Sequence, residues 1–252
     1  MFGYWKRKRR AAILGQPFPA EWLDIIERNV PWVRRLADDD RAELHKLIQV
    51  FVAEKSWEGC NGLELTDEHR VTIAAAACRL VLQHDAEPYP ELQVVRVYPT
   101  AFVVHARRRD GHALTEGPEV RTGESWEHGV VVLAWDAVKR GARDPADGHD
   151  VATHEFAHQL DQADGASDGA PPLPDAGAYR AWAGALGRAY AQLRGDIQAG
   201  RKPLIDPYGA TSPAEFFAVA TEHFFERPGA LKKRDPGLYV VLAGFYQQDP
   251  AA

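Results

Sequence analysis

The segment His154-Glu155-Phe156-Ala157-His158 constrains this chain more than any other stretch of its sequence. The two histidines are four residues apart, so on a helix they stand about 40° apart in projection and one turn along the axis. Two imidazoles so placed can converge on one zinc ion, which takes nitrogen and carboxylate ligands in a tetrahedral array. Glu155 then falls on the flank, off the metal but within reach of a water on it. It is the candidate general base, taking the water's proton and passing it to the leaving amine. Val151, Ala152, Phe156, Ala157 and Leu160 surround these residues with apolar surface, which predicts a buried helix. The pattern alone does not suffice. With 10 His and 17 Glu in 252 positions, it arises in roughly 3% of shuffled chains. The competing reading is a core helix with two hydrogen-bonded histidines.

A zinc site needs a third protein ligand, and several carboxylates compete for the place. Asp164 follows His158 by six residues, but the intervening turn position holds Asp161 rather than a glycine. Asp161 continues the His154–His158 face and can instead orient a histidine from behind. Glu215 and Glu222 lie in the run from Ser212 to Phe225. There Ser212-Pro213 is a helix start and Glu215 sits where a capping box would place it. Phe216, Phe217, Val219, Phe224 and Phe225 make that helix apolar on nearly all sides, so its carboxylates need partners. Glu215 and Glu222 are seven apart and nearly share a face, so one can bind metal while the other supports a histidine. Spacing alone does not choose between them.

Composition excludes other classes. Apolar residues make up 45% of the chain, charged residues 26% and aromatics 10%, as in ordinary globular proteins. No apolar run approaches the ~20 residues of a transmembrane helix. The net charge is −6, and without the five bases of Lys6–Arg10 the body has 25 bases against 36 acids, a charge of −11. General nucleic-acid binding is therefore not expected. The first 18 residues read as a solvated basic tail, with weak membrane-surface or nucleic-acid contact as the alternative. No secretory apolar stretch follows them, and only Cys60 and Cys78 occur, so a cytoplasmic location is expected.

The remaining 19–252 read as one α+β domain. Helical periodicity runs from Pro19 to about His84, with 19–90 mainly helical. Leu92–Tyr98 and Ala101–Ala106 read as strands, Arg107–Gly129 as a long loop or irregular hairpin, and Val130–Trp135 as the strongest strand. Helices resume at Asp150, Ala178 and Ser212, with a loop at Gly165–Gly177. Val130, Val131 and Val132 are candidates for an edge strand that pairs with an extended substrate, the alternative being an interior strand.

His154-Glu-Phe-Ala-His-Gln-Leu-Asp161 followed by Tyr208-Gly-Ala-Thr-Ser-Pro-Ala-Glu215-Phe-Phe-Ala resembles the Mlc titration factor A family of bacterial zinc peptidases. The same tyrosine-to-glutamate stretch is similar to the catalytic domain of anthrax lethal factor. The Trp126-to-Trp135 segment, the Ala-rich helix and the N-terminal Phe-Gly-Tyr-Trp with its basic run also suit the family, so the resemblance covers most of the chain. It implies a zincin-like fold of the gluzincin type. One Zn2+ per chain would be held by His154, His158 and Glu215, with Glu155 as general base and Tyr208 steadying the oxyanion. It also implies aminopeptidase-type activity on peptides, and binding of the glucose-responsive repressor Mlc or an equivalent regulator. No residue of this chain maps onto that partnership. Against the peptidase stands a non-catalytic protein that sequesters a regulator around a structural zinc, and a weaker option is hydrolysis of a non-peptide amide. Glu155 separates the first two, since a structural site has no use for a base.

Overall fold

The computed structural model describes residues 2–84, 89–110, 113–126 and 129–252, with side chains described except at 2–3, 104–119 and 126. Helices α1 (Phe2–Leu14), α2 (Ala20–Asn29) and α3 (Asp38–Glu54) lead into strand β1 (Ser56–Gly59) and helix α4 (Asp67–Leu80). Strands β2 (Val94–Tyr98), β3 (Phe102–Asp110), β4 (Ala113–Arg121), β5 (Gly123–Trp126) and β6 (Val130–Ala134) follow. Helices α5 (Trp135–Arg143), α6 (Val151–Asp161), α7 (Ala176–Gln198), α8 (Pro213–Glu226), α9 (Pro228–Arg234) and α10 (Pro236–Tyr246) complete the α+β fold. No described helix is long and apolar enough to cross a membrane.

Local chemistry starts the helices that matter. The Asp150 carboxylate accepts the N–H groups of Ala152 and Thr153 and the Thr153 hydroxyl, which caps α6. Ser212 accepts the N–H of Glu215, and Pro213 opens α8. Helix α4 is packed on nearly every side, and its run of alanines lets α3 and α6 come close to it. On α6, Phe156 fills the space against Phe51 and Tyr89, with ring centroids 5.7 and 5.2 Å away. On α8, Phe216, Phe217, Phe224 and Phe225 are buried, and Thr221 bonds the Tyr246 hydroxyl of α10 at 2.7 Å. One hydrophobic cluster joins these elements from Ile25 to Tyr246.

The main sheet runs β1-β2-β6-β5, with β1, β2 and β6 parallel and β5 antiparallel to β6. This corrects the placing of Val130, Val131 and Val132 at an edge. Strand β6 takes β2 on one side and β5 on the other, so its backbone groups are already engaged. Among the described residues the outer position belongs to β5, in the stretch expected to be a long loop or irregular hairpin, where Gly-Glu-Ser-Trp has no apolar alternation. Strands β3 and β4 form a separate antiparallel hairpin that starts in the expected strand at Ala101–Ala106 and runs into that stretch; residues 111–112 and 127–128, and the Trp126 side chain, lie outside the described residues. Strand β1 lies within the region expected to be mainly helical.

The basic run, expected to be a solvated tail, is helical, with Lys6–Arg9 exposed and Arg10 half-buried. It lies within α1, where Arg10 forks onto Glu54 at 2.7 and 2.6 Å and Arg9 donates to the Ala53 carbonyl at 2.9 Å. Two cations thus meet the C-terminal end of α3, where the helix dipole favours them. Tyr4 and Trp5 stay exposed.

Loss of the α6 cap is expected to weaken the whole unit, because Asp150 is buried and serves three donors. Asp150→Ala should lower the unfolding free energy by about 2 kcal/mol, read from urea denaturation against the wild-type chain.

Candidate metal centre

Helix α6 turns His154 and His158 toward α8, from which Glu215 meets them. The Nε2 atoms of the histidines are 3.2 Å apart, and Glu215 Oε2 lies 3.0 Å from the first and 3.4 Å from the second. Donor atoms about 2.0–2.1 Å from a tetrahedral zinc ion stand roughly 3.3 Å from one another, so the triangle has the size of one face of that tetrahedron. These three residues are also the group among the described residues whose ligand atoms could hold a single ion. Two ring nitrogens and a carboxylate oxygen at this spacing need a proton or a cation between them. The set therefore fits a borderline-soft divalent metal.

Glu222 holds the arrangement from behind. Its Oε1 accepts the Nδ1–H of His154 at 2.8 Å and its Oε2 accepts the Asp150 N–H at 2.6 Å. With Nδ1 held as donor, Nε2 of His154 is the nitrogen that would turn its lone pair to a metal in place of the proton it now shares with Glu215. One turn further, Glu226 accepts the Gly148 N–H at 2.7 Å, so two carboxylates of α8 grip the backbone entering α6. Burial pushes Glu226 up to about 9, with the nearby Asp150 charge adding to it. Burial opposes charge on His154, yet its hydrogen bonds to Glu215 and Glu222 carry the imidazole well above its usual value. Burial would likewise raise Glu215, but the same histidines hold it well below the usual carboxylate range. Glu155 is raised, chiefly by burial.

Glu155 and Tyr208 both line a cavity of about 640 Å³ that contains the histidines and Glu215. Tyr208 sits in a 3₁₀ turn at Pro207–Ala210, capped by Asp206, with its ring 6.0 Å from that of His154 and more than half exposed. A phenol on such a turn can move toward a substrate. Strand β5 forms another wall of the cavity, through Gly123, Glu124 and Ser125.

The other carboxylates are placed elsewhere. Asp164 is exposed and accepts the Ala166 N–H, outside the metal-binding group. Asp161, a candidate for orienting a histidine, makes no hydrogen bond to one. Its Oδ2 accepts the Gly169 N–H at 3.0 Å, while its Oδ1 and His158 Nδ1 are each buried without a hydrogen-bond partner. As the last residue of α6, it ties down the following loop instead, and burial pushes it up to about 6. Glu215 does not close a capping box, since its side chain goes to the histidines and only its N–H reaches Ser212. Sequence reading missed Asp150, Glu226, Gly123 and Ser125. For Asp150 the N-cap position was a usable signal, but for the others only contacts distant in sequence mark them out.

Comparison with known proteins agrees with this geometry. The family described as glucose-regulated metallo-peptidase M90 matches residues 3–247. An uncharacterised protein of Synechocystis is 40% identical over 251 residues, which are 99% of this chain and 91% of that protein. Mlc titration factor A of Serratia proteamaculans is 34% identical, covering 92% of this chain and 88% of its own. Mlc titration factor A of Klebsiella pneumoniae strain 342 is also 34% identical, covering 88% and 84%. With the match running almost from end to end, the chain belongs to the glucose-regulated metallopeptidase family M90.

Proposed function

We propose that the chain is a zinc-dependent peptidase of the gluzincin type, with aminopeptidase-type activity, whose metal is held by His154, His158 and Glu215. The observation that carries this reading is the triangle of two Nε2 atoms and one carboxylate oxygen beside a buried glutamate in an open cavity. His154, His158 and Glu215 would hold a zinc ion there, which would supply Lewis acidity to polarise the scissile carbonyl and acidify a water. Glu155 takes the proton of the attacking water on its carboxylate and returns it to the leaving nitrogen. Its raised affinity for protons suits both steps, because the base must also become an acid. Tyr208 donates its phenolic hydrogen to the oxygen on which negative charge develops. Glu222 keeps His154 in the tautomer and orientation the centre needs.

The substrate backbone is assigned to β5 rather than β6. Among the described residues β5 pairs with β6 alone; it lines the cavity and runs along the helix that carries Glu155. Pairing to a strand edge uses main-chain hydrogen bonds, so selectivity for substrate side chains along it should be low. A structural zinc alone would leave Glu155 and Tyr208 unexplained, which favours catalysis over simple sequestration. Relatives named Mlc titration factor A favour an additional partnership with an Mlc-like transcriptional repressor in the cytoplasm. The acidic body supports a protein rather than nucleic acid as the route to any transcriptional effect.

Metal analysis beside peptide hydrolysis tests the assignment. Glu155→Gln should keep one zinc per chain and lose about 10³-fold or more in kcat, while Glu215→Ala should lose the zinc itself. Hydrolysis by Glu155→Gln at the wild-type rate would refute the mechanism, and full zinc in Glu215→Ala would refute the ligand set. Tyr208→Phe should bind zinc normally, keep its KM and lose about 10²-fold in kcat; a change confined to KM would assign the phenol to substrate binding instead.

A further inference from the structure

Helix α6 carries a second stripe besides its histidines. Val151, Glu155 and Gln159, with Gln162 just past the end of the helix, follow one another at three- or four-residue intervals, and β5 lies along them. From 155 to 159 the helix advances about 6 Å, and from 123 to 125 the strand advances about 6.7 Å, so two points of contact can stay in register. At the second point, Gln159 Nε2 donates to Ser125 Oγ at 2.6 Å, and Ser125 Oγ donates to Gln162 Oε1 at 3.2 Å. The first point has no side chain on the strand. A Cβ on residue 123 would stand 2.7 Å from Glu155 Cγ and 2.8 Å from Val151 Cγ2, and closer still to Glu155 Oε1. Residues 151 and 155 are held by the buried helix, and Glu155 Cγ is only two bonds from its backbone. The Glu155 carboxyl group therefore occupies the volume that any other residue at 123 would claim for its own side chain.

We propose that Gly123 is a positioning residue for Glu155: its missing side chain, on a strand pinned to α6 through Ser125, fixes where the carboxylate stands beside His154 and His158. The strand assigned to the substrate backbone is then the same strand that aims the base. Substrate and proton acceptor share one rigid reference, and near-attack geometry is sensitive to shifts of about 1 Å. This inference rests on the reading of Glu155 as general base.

Two independent measurements test it. In steady-state peptide hydrolysis, Gly123→Ala should keep one metal per chain and a KM within about threefold, and lose about 10²-fold in kcat. Ser125→Ala should show the same split with about a tenfold loss in kcat. Glu155→Asp is shorter by one methylene, so adding Gly123→Ala to it should cost less than about threefold more. Unchanged kcat in Gly123→Ala, loss of its metal, or an undiminished 10²-fold loss on top of Glu155→Asp would overturn the proposal. The second measurement needs no turnover. Gly123→Ala should lower the melting temperature by about 5 °C in the wild-type background and by less than half of that in Glu155→Ala. Equal shifts in both backgrounds would show that the two residues do not share the space, which overturns the proposal directly. If the coupling is present but the wild type hydrolyses no peptide, the peptidase reading falls, and with it the aiming of a base, while the contact stands as packing.

Discussion

The carboxylate of Glu222 joins the two helices on which the centre is built. One oxygen takes the Nδ1–H of His154 and the other takes the Asp150 N–H, so a side chain of α8 fixes both the start of α6 and the rotation of its first histidine. Asp150 in turn caps α6, and Glu226 holds Gly148 one turn further along α8. A carboxylate this deeply buried is raised by desolvation and tolerable only because both oxygens have donors. Loss of either partner would leave a costly unpaired group, and that cost keeps the two helices in a single relative placement.

Helix α6 therefore works with two stripes. His154 and His158 face α8 and its glutamates, while Glu155 and Gln159 face β5. The remaining side, led by Phe156, is packed into the aromatic core with Phe51 and Tyr89. Three faces with three kinds of neighbour explain why a helix of eleven residues is buried so thoroughly although it carries two histidines, a glutamate and an aspartate. The candidate metal ligands of α6 and the Glu155 carboxylate are brought to one cavity by a rigid element and not by a loop, which suits chemistry that depends on fixed distances.

Much of this was legible in advance because it is local. The His-Glu-x-x-His helix, the Ser212-Pro213 start of α8, the Ala-rich α4 and the α+β order follow from spacing, capping and periodicity. The choice between Glu215 and Glu222 was not legible, for a simple reason of distance. Seven residues advance about 10.5 Å along a helix, so both glutamates face α6 but only one can reach the point where the two Nε2 atoms meet. Glu215 does so, and Glu222 reaches the other side of the His154 ring. The edge position was not legible for a related reason: β6 has the stronger strand pattern, but whether it lies outermost or inside depends on pairing partners that the pattern does not name. The basic run reads as solvated, and Lys6–Arg9 are exposed, but its pattern does not show that Arg9 and Arg10 reach the C-terminal end of α3.

By itself the sequence determined that two histidines and a glutamate would share a buried helix and that a capped, Phe-rich helix would bring carboxylates in need of partners. Tertiary structure alone decided which carboxylate meets the histidines, which one orients them, and which strand lies against Glu155. Short-range order depends on residues within a turn or two of each other, and these the sequence places directly. A site of this kind is closed by contacts sixty and more residues apart, such as His154 with Glu215 and Glu222, and those distances are set by how whole helices and strands pack.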